Sequence, residues 1–344
     1  MNWQDELLEE YQKTQEPKKF VVSDLLRDRL AREFRGEVLY REPMSKHTSM
    51  RVGGAADVYL KPADLEDLKK IFVIAREEGA PILFHGSGSN TLVRDGGIRG
   101  FVITPPLSFQ ECQLLREDES TGDVEMGAGV KITRCVHFAK ENSLSGMETL
   151  VGIPGTIGGA VMMNAGAHGM EIQDVLREIK ILDKEGEVVT VSREKLEFDY
   201  RHLKLPRSSL ILSAVFRLRK GELSEIEKKV EHYQKWRVEH QPLNFPNLGS
   251  IFKNPPSIPP LSKGGRGDLK RGSNLSAGQL IEETGLKNVR IGGARISSKH
   301  ANFIVNENKA TARDVLVLVN LIRDRVKEST GILLETEVRV VGED

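Results

Sequence analysis

The sequence is poor in features that define several whole classes of protein. It has two cysteines, Cys112 and Cys135, among 344 residues, too few for a disulfide framework. Eighteen apolar residues never follow one another, so no segment predicts a simple membrane-spanning helix. The acidic N-terminal stretch lacks the basic and then apolar order of a secretory signal. We therefore expect a cytoplasmic protein without a membrane partner.

The sequence also lacks an excess of either positive or negative charge. The 50 basic and 50 acidic side chains cancel, so no overall field attracts a polyanion, and we expect no nucleic-acid partner. The eight histidines show neither an H-x-x-x-H pattern nor Cys/His ligand spacing. We therefore expect no metal site.

Three common catalytic or nucleotide motifs are missing as well. A Rossmann fingerprint needs a third glycine where Thr91 follows Gly86 and Gly88. No glycine is followed by the Lys-Ser or Lys-Thr pair of a P-loop. The G-x-S-x-G elbow of serine hydrolases is absent. The sequence thus offers no motif for a kinase, an NTPase or a hydrolase of these kinds.

Glycine, in contrast, is concentrated in two places. Residues 150–169 read LVGIPGTIGGAVMMNAGAHG, with six glycines, and residues 86–90 read GSGSN. Such density indicates backbone shaped around a close neighbour, because glycine reaches positive φ and admits close contacts. Loops of this kind bind a dinucleotide diphosphate through backbone N–H groups without a lysine. Tight structural turns alone are the alternative.

Hydrophobic periodicity predicts an α+β protein. Helical spacing predicts an amphipathic helix over 64–78, with Pro62 before it and Gly79 after it. Further helices are predicted near 223–238, in LSAGQLIEETG and in ARDVLVLVNLIRDRVKESTG. Strands are predicted around the turn at 184–186, in LILSAVFRLRKG and in HANFIVN. A helical apolar pattern around Cys135 predicts a buried thiol.

The last predicted strand, LLETEVRVV, alternates in polarity. Leu334, Val338 and Val340 point one way, while Glu335, Glu337 and Arg339 point the other. The pattern alone favours an edge strand with one solvated face.

An ordered series of motifs resembles one family of bacterial flavoenzymes, the UDP-N-acetylenolpyruvoylglucosamine reductases, from about residue 40 to the end. The most specific pair is GIPGTIGGAVMMNAGA with GSIFKNP. The other motifs are HTSMRVGGAADVYL, GSGSNTLVRDGGIRGFVI, FDYRH, AGQLIEETGL, IGGARIS, HANFIVN and LETEVR.

The resemblance implies a fold and a domain division. It implies an FAD-binding domain of the vanillyl-alcohol-oxidase type, in two subdomains, followed by a C-terminal α+β substrate domain. We assign residues 1–39 to an N-terminal extension and 40–220 to the FAD-binding domain, divided near 81. Residues 221–333 are assigned to the substrate domain, with a low-complexity insertion at 256–274, and 334–344 to a final strand returning to the active site.

The resemblance also implies an activity, in which NADPH reduces UDP-N-acetylglucosamine enolpyruvate to UDP-N-acetylmuramate through FAD during peptidoglycan precursor synthesis. We expect the FAD to be bound non-covalently, because neither His85 nor residues 86–90 lie in a pattern for a flavinyl linkage. The matching catalytic positions are Arg201, Ser250 and Glu337. Arginine can hold a carboxylate bidentately, and a positioned serine can protonate a carbanion-like enolate.

Ligand contacts are carried over to the matching motif positions. Those implied for FAD are Thr48, Arg51, Gly86, Ser87, Gly88, Ser89, Asn90, Thr91, Gly152, Ile153, Gly155, Thr156, Gly158, Gly159, Asn164 and Gly166. Those implied for the substrate are Tyr200, Lys253 and Asn254.

The sequence departs from the family pattern in four ways. The insertion directly follows GSIFKNP, and residues 240–242 (His-Gln-Pro) stand where the family commonly has a lysine that contacts a diphosphate. The family usually has a serine two positions after the Tyr200-Arg201 pair, where this chain has Leu203. The tyrosine-bearing loop of one branch is missing, so the chain resembles the shorter branch. Two other functions stay open: an FAD-dependent oxidase or dehydrogenase of the same fold, and a non-catalytic nucleotide-sugar binding protein.

Overall fold

The structure is a computed structural model that describes residues 20–206, 209–256 and 276–344. Nearly all of the predicted insertion at 256–274 and the first half of the predicted N-terminal extension lie outside these ranges. The described residues form helices and mostly antiparallel strands, which confirms the α+β class.

Seven α-helices lie in the described ranges: α1 (Asp24–Glu33), α2 (Leu65–Glu78), α3 (Ile132–Glu141), α4 (Ile157–Met162), α5 (Leu223–His240), α6 (Ala277–Glu283) and α7 (Ala312–Thr330). The strands there are β1 (Glu37–Pro43), β2 (Ala55–Lys61), β3 (Ile82–Phe84), β4 (Thr91–Val93), β5 (Ile98–Ile103), β6 (Cys112–Glu117), β7 (Thr121–Gly127), β8 (Leu144–Ser145), β9 (Gly166–Ala167), β10 (Met170–Glu171), β11 (Leu176–Leu182), β12 (Val188–Ser192), β13 (Glu197–Asp199), β14 (His202–Lys204), β15 (Leu210–Lys220), β16 (Arg290–Ile291), β17 (Ala294–Ile296), β18 (Ile304–Asn306) and β19 (Arg339–Val341). None of the helices just given is both long and apolar enough to cross a bilayer.

The first core lies under a four-stranded sheet with the order β1-β2-β5-β3. Helices α1 and α2 contribute Leu30 and Ile71 to it, and both side chains are fully buried beside Phe101 of β5. Helix α2 confirms the prediction over 64–78. Its N-terminus is capped by the Asp64 carboxylate, and Gly79 ends it in the left-handed conformation that glycine adopts at low cost.

The second core lies under an antiparallel sheet with the order β12-β11-β15-β7-β6. The predicted strands on either side of the turn at 184–186 are β11 and β12, and the long strand β15 lies between β11 and β7. Helices α3 and α4 pack in the same core. Cys135 of α3 is fully buried, as predicted, with its Sγ 3.9 Å from that of Cys112.

The third core joins the sheet β16-β17-β18 to helices α6 and α7. Met50 and Leu92, which come from the first part of the chain, are buried in it. A capping box between Thr311 and Asp314 begins α7. The Asp95 carboxylate also accepts the Ala312 N–H at 2.8 Å, so the first and third cores are tied together at this helix end.

The final strand is shorter than the alternating pattern predicts. Only β19 is a strand, and it pairs in parallel with β4, with Arg339 opposite Thr91. Before β19 the backbone bonds to a different segment, because Glu337 N–H donates to Ile251 C=O at 2.8 Å. The stretch therefore changes partner in its middle, and a pattern of alternating polarity does not reveal that change.

Candidate active site

A cavity of about 1540 Å³ is lined by residues from all three cores. Pockets for one drug-sized ligand are typically about 300–1,000 Å³. The cavity therefore has room for more than one small molecule.

One wall is the loop between β3 and β4, which contains the GSGSN motif. Gly88 has φ +63°, and a Cβ there would lie 2.2 Å from the His47 carbonyl oxygen. Glycine is required at this position because any side chain would overlap that backbone. Next to it, the Ser87 hydroxyl is buried and has no hydrogen-bond partner among the described residues. A buried polar atom of this kind is free to bond a ligand.

The second glycine segment forms the adjoining wall and touches the first. A Cβ on Gly86 would lie 2.7 Å from Thr156 Oγ1, and one on Gly155 would lie 3.4 Å from Ser89 Oγ. The glycines let the two loops approach each other, and Gly155 itself has φ +148°. The structure thus brings the two glycine-rich stretches of the sequence together along one cavity, as a cradle of backbone groups.

Most of the predicted site residues line the cavity. They are Gly86, Ser87, Gly88, Ser89, Asn90, Thr91, Gly152, Ile153, Gly155, Thr156, Gly158, Gly159, Gly166, Arg201, Ser250 and Glu337.

Three residues predicted to bind FAD lie behind this wall or away from it. The Thr48 hydroxyl donates to the Val52 carbonyl at 2.9 Å, although its neighbour Ser49 does line the cavity. Arg51 is exposed and has φ +57°. Asn164 is fully buried, and its amide donates to the Glu171 carboxylate at 2.7 Å.

The three residues predicted to bind substrate also lie off the wall. Tyr200 is exposed, with its ring centroid 5.0 Å from the Arg201 guanidinium carbon. Lys253 Nζ is 3.6 Å from a Glu335 oxygen. Asn254 Oδ1 accepts the Ala277 N–H at 3.0 Å, at the start of α6.

Arg201 occupies the two-residue turn between β13 and β14. Its φ of +59° is uncommon for a residue with a side chain, and such strain concentrates at functional sites. The guanidinium donates to the Gly166 carbonyl at 3.2 Å. Its Nε lies 3.2 Å from Glu337 Oε1, but the N–H is not aligned for a hydrogen bond with that oxygen.

Glu337 lies opposite Arg201 and is held through its backbone. Its carbonyl oxygen accepts the Asn90 side-chain N–H at 3.0 Å, and its own N–H bonds Ile251. Burial raises the pKa of Glu337 above the ordinary value, although Arg201 and Lys253 partly offset this effect. The site therefore contains a carboxyl group that takes up a proton more readily than an exposed glutamate does.

Ser250 lies on a segment fixed from both sides. Asn302 bonds the Phe252 backbone twice, donating to its carbonyl at 2.8 Å and accepting its N–H at 2.9 Å. Asn247 accepts the N–H of Gly249, whose φ is +75°. Since Ile251 also accepts the Glu337 N–H, the serine and the carboxylate belong to one hydrogen-bonded unit.

Sequence reasoning missed other residues that line the cavity, including His85, Trp236, Arg237, His300 and Arg339. His85 precedes the GSGSN motif, and this position was a signal that could have been used. Arg237 had no such signal, because the charged sequence around it reads as a solvated helix.

The two glycine loops and the cavity fit a dinucleotide cofactor, and comparison with known proteins identifies which one. Residues 56–192 match a model described as an FAD binding domain. The protein is thus an FAD-binding oxidoreductase. Residues 241–341 match the C-terminal domain of UDP-N-acetylenolpyruvoylglucosamine reductase.

Relatives that align over most of the chain indicate the same family. A protein named UDP-N-acetylenolpyruvoylglucosamine reductase from Geobacter metallireducens is 43% identical over 94% of this chain and 100% of its own length. One from Heliobacterium modesticaldum is 42% identical over 91% of this chain and 94% of its own. The crystal structure of the Thermus caldophilus enzyme aligns with a TM-score of 0.72 at 33% identity, covering 90% of this chain and 99% of that one. The chain belongs to the UDP-N-acetylenolpyruvoylglucosamine reductase family, which confirms the resemblance and the FAD prediction.

Proposed function

We propose that this protein uses NADPH to reduce the enolpyruvyl group of UDP-N-acetylglucosamine enolpyruvate through FAD, a step in peptidoglycan precursor synthesis. The observation that carries the proposal is the meeting of Arg201, Ser250 and Glu337 in the wall of a cavity that also contains both glycine loops. A cytoplasmic location belongs to the same proposal, because NADPH and nucleotide sugars are cytoplasmic metabolites.

The glycine loops are proposed to hold FAD. Both loops line the cavity, and the buried Ser87 hydroxyl has no partner among the described residues, which suits a diphosphate and a flavin ring. When bound, FAD supplies a carrier that accepts a hydride from NADPH and delivers it to the terminal enolpyruvyl carbon.

Arg201 is proposed to bind the enolpyruvyl carboxylate. Its guanidinium is only partly used by the protein, because Gly166 takes one N–H, the contact with Glu337 is unaligned, and Glu171 lies 4.0 Å away, beyond hydrogen-bond distance. A planar guanidinium with free donors matches a carboxylate in two parallel bonds. Such a contact strengthens as negative charge develops on the carboxylate and the carbon beside it.

Ser250 is proposed to protonate that carbon, and Glu337 to support it. A serine hydroxyl is a weak acid, so it serves only a strongly basic carbanion-like centre held in fixed geometry. The bonds from Asn247 and Asn302 fix its segment. Glu337, tied to Ile251 beside the serine, is placed to orient the substrate or to restore the proton.

Tyr200, Lys253 and Asn254 remain proposed contacts to the UDP-sugar. Each lies next to a wall residue or to the segment that carries Ser250. Since they lie off the wall, this part of the proposal requires the sugar nucleotide to reach the rim of the cavity.

The test separates the two half-reactions. Under anaerobic conditions, rapid mixing with NADPH should bleach the flavin equally fast in wild type and in Ser250→Ala, because no substrate proton is needed. Reoxidation by the enolpyruvyl sugar should be at least about 10²-fold slower in the variant. Ser329→Ala is a matched control, since that hydroxyl bonds backbone carbonyls of α7.

The other outcomes are distinct. Equal reoxidation in wild type and Ser250→Ala would remove the serine from the mechanism. Flavin that is reduced by an alcohol or a hydroxy acid and ignores NADPH would indicate an oxidase or dehydrogenase. Nucleotide-sugar binding by a protein without reactive flavin would indicate a binding protein.

A further inference from the structure

Arg237 is a buried cation in the wall of the cavity. It lies near the end of α5, and 6% of its surface is exposed. Its side chain runs along Gly152, where a Cβ would lie 3.0 Å from Arg237 Cδ. Gly152 has φ +73°, so its lack of a side chain serves both the turn and the passage of the arginine.

The guanidinium has little support from the protein. One N–H donates to Gln241 Oε1 at 3.2 Å, while Nε has no hydrogen-bond partner among the described residues. Burial lowers the pKa of Arg237 to about 10, so the side chain is positively charged at neutral pH. Among the described residues no carboxylate comes within ion-pair distance of it. A buried charge without a counter-ion is costly, and proteins retain one where a ligand supplies the opposite charge.

An aromatic surface lies beside this cation. Trp236 and His168 also line the cavity, with ring centroids 4.7 Å apart at nearly a right angle. His240 stacks on Trp236 at 4.5 Å. Flat rings of this kind accept a nucleobase by stacking. A cation next to an aromatic surface offers a nucleotide one contact for its phosphates and another for its base.

We propose that Arg237, oriented by Gln241 against Gly152, binds the diphosphate of a nucleotide in the cavity. The inference rests on the proposed function, in which FAD, the UDP-sugar and NADPH each carry a diphosphate. The enolpyruvyl carboxylate is assigned to Arg201, and the Gly152 loop adds backbone N–H groups of the kind that accompany a guanidinium at phosphate sites.

The test measures binding without turnover. Arg237→Met keeps the aliphatic stem and removes the charge, Arg237→Lys keeps the charge without the planar fork, and Gln241→Leu removes the orienting bond. Arg323→Met is the matched control, because Arg323 also has a buried Nε without a described partner and does not line this cavity. Calorimetry with UDP and with ADP, together with the ratio of FAD to protein, follows each diphosphate separately.

In Arg237→Met, the affinity for FAD, UDP or ADP should fall about 10- to 100-fold, the range expected for losing one charge-assisted hydrogen bond. Loss of FAD assigns the diphosphate to the flavin cofactor. Weaker UDP binding with FAD retained assigns it to the sugar nucleotide, and weaker ADP binding assigns it to NADPH.

FAD content and both affinities within twofold of wild type would overturn the proposal. If the methionine variant does not fold, Arg237→Gln removes the charge with a polar side chain instead, and FAD content and both affinities within twofold of wild type in that variant overturn the proposal. Failure of the wild type to turn over the enolpyruvyl sugar would reject the proposed function, and the result at Arg237 would still stand.

Discussion

Helix α7 and the cavity wall each contain a carboxylate with a shifted pKa and a glycine with positive φ. The two regions use these residues in different ways. On α7, Asp314 accepts backbone N–H groups of Thr311 and Gly293, and these bonds outweigh burial and lower its pKa. In the wall, burial raises the pKa of Glu337, whose contact with Arg201 is unaligned. The protein supplies hydrogen-bond donors to the Asp314 carboxylate, whereas the Glu337 carboxylate can still accept hydrogen bonds from a ligand.

The glycines differ in the same way. Gly331 ends α7 with φ +76°, and an added Cβ would meet nothing within 4 Å. Gly88 has a similar φ of +63°, but its Cβ would overlap the His47 carbonyl. One glycine serves the backbone conformation alone, and the other also serves a close approach between segments. Positive φ therefore does not by itself mark a binding loop.

The largest expected effect is that of Glu337→Gln. Turnover should fall by about 10²-fold or more, because the amide cannot carry the charge or move the proton. The free energy of unfolding should change by less than about 1 kcal/mol, since the ion pair is not aligned. Steady-state rates and urea denaturation measure the two quantities. Loss of stability without loss of rate would make Glu337 a structural residue like Asp314.

The second largest effect is expected from Gly88→Ala, compared with Gly331→Ala. Gly88→Ala should destabilise the protein by about 2 kcal/mol or more through overlap and should reduce the FAD bound per chain. Gly331→Ala should cost about 1 kcal/mol for the left-handed conformation and leave FAD content unchanged. Flavin absorbance and thermal unfolding compare them. Equal FAD content in the two variants would show that the close approach at Gly88 is not needed for the cofactor.

A third, smaller effect is expected from Asp314→Asn. The asparagine amide oxygen can still accept the Thr311 N–H, but the side chain loses its charge, so the cost should be about 1 kcal/mol or less. Turnover per folded molecule should not change, because α7 lies outside the cavity wall. Denaturant titration with an activity assay tests both statements, and a fall in turnover would contradict the division between the two regions.

The smallest effect is the pH dependence of stability, which should have opposite signs in the two regions. Asp314 has a lowered pKa, so its contribution is present above its ordinary value of 3.8 and is lost as pH falls below it. Glu337 has a raised pKa, so stability should fall as pH rises through and beyond 4.5. Asp314→Asn should remove the acidic slope and Glu337→Gln the upper one. The same slope in a variant and in wild type would reject that assignment.

Local signals predicted much of the fold. Helix α2 lies between Pro62 and Gly79 as predicted, because the residues that begin and end a helix act through neighbours in sequence. The hairpin of β11 and β12 followed from its turn. The final strand was predicted too long, because the stretch before β19 bonds to Ile251 and β19 pairs with β4 at Thr91, and both partners are distant in sequence.

The candidate site was likewise predicted only in part. The glycine loops were predicted from their high glycine content, and the motif resemblance predicted Arg201, Ser250 and Glu337. The resemblance did not reveal that Asn254 accepts the Ala277 N–H at the start of α6 or that the Asn164 amide donates to the Glu171 carboxylate. Arg237 was missed because its role depends on Gly152, which lies in a different segment and reaches it only in the folded protein.

The bond from Asn90 to the Glu337 carbonyl joins residues 247 positions apart. During synthesis on the ribosome, Gly86, Gly155, Arg201 and Ser250 all emerge before Glu337. The first two cores can form from residues already made, because domains fold as their residues emerge. The wall of the cavity closes only when β19 arrives beside β4. A nascent chain that stops before residue 337 therefore lacks the bond between Asn90 and the Glu337 carbonyl, so the GSGSN loop is not yet joined to this part of the cavity wall.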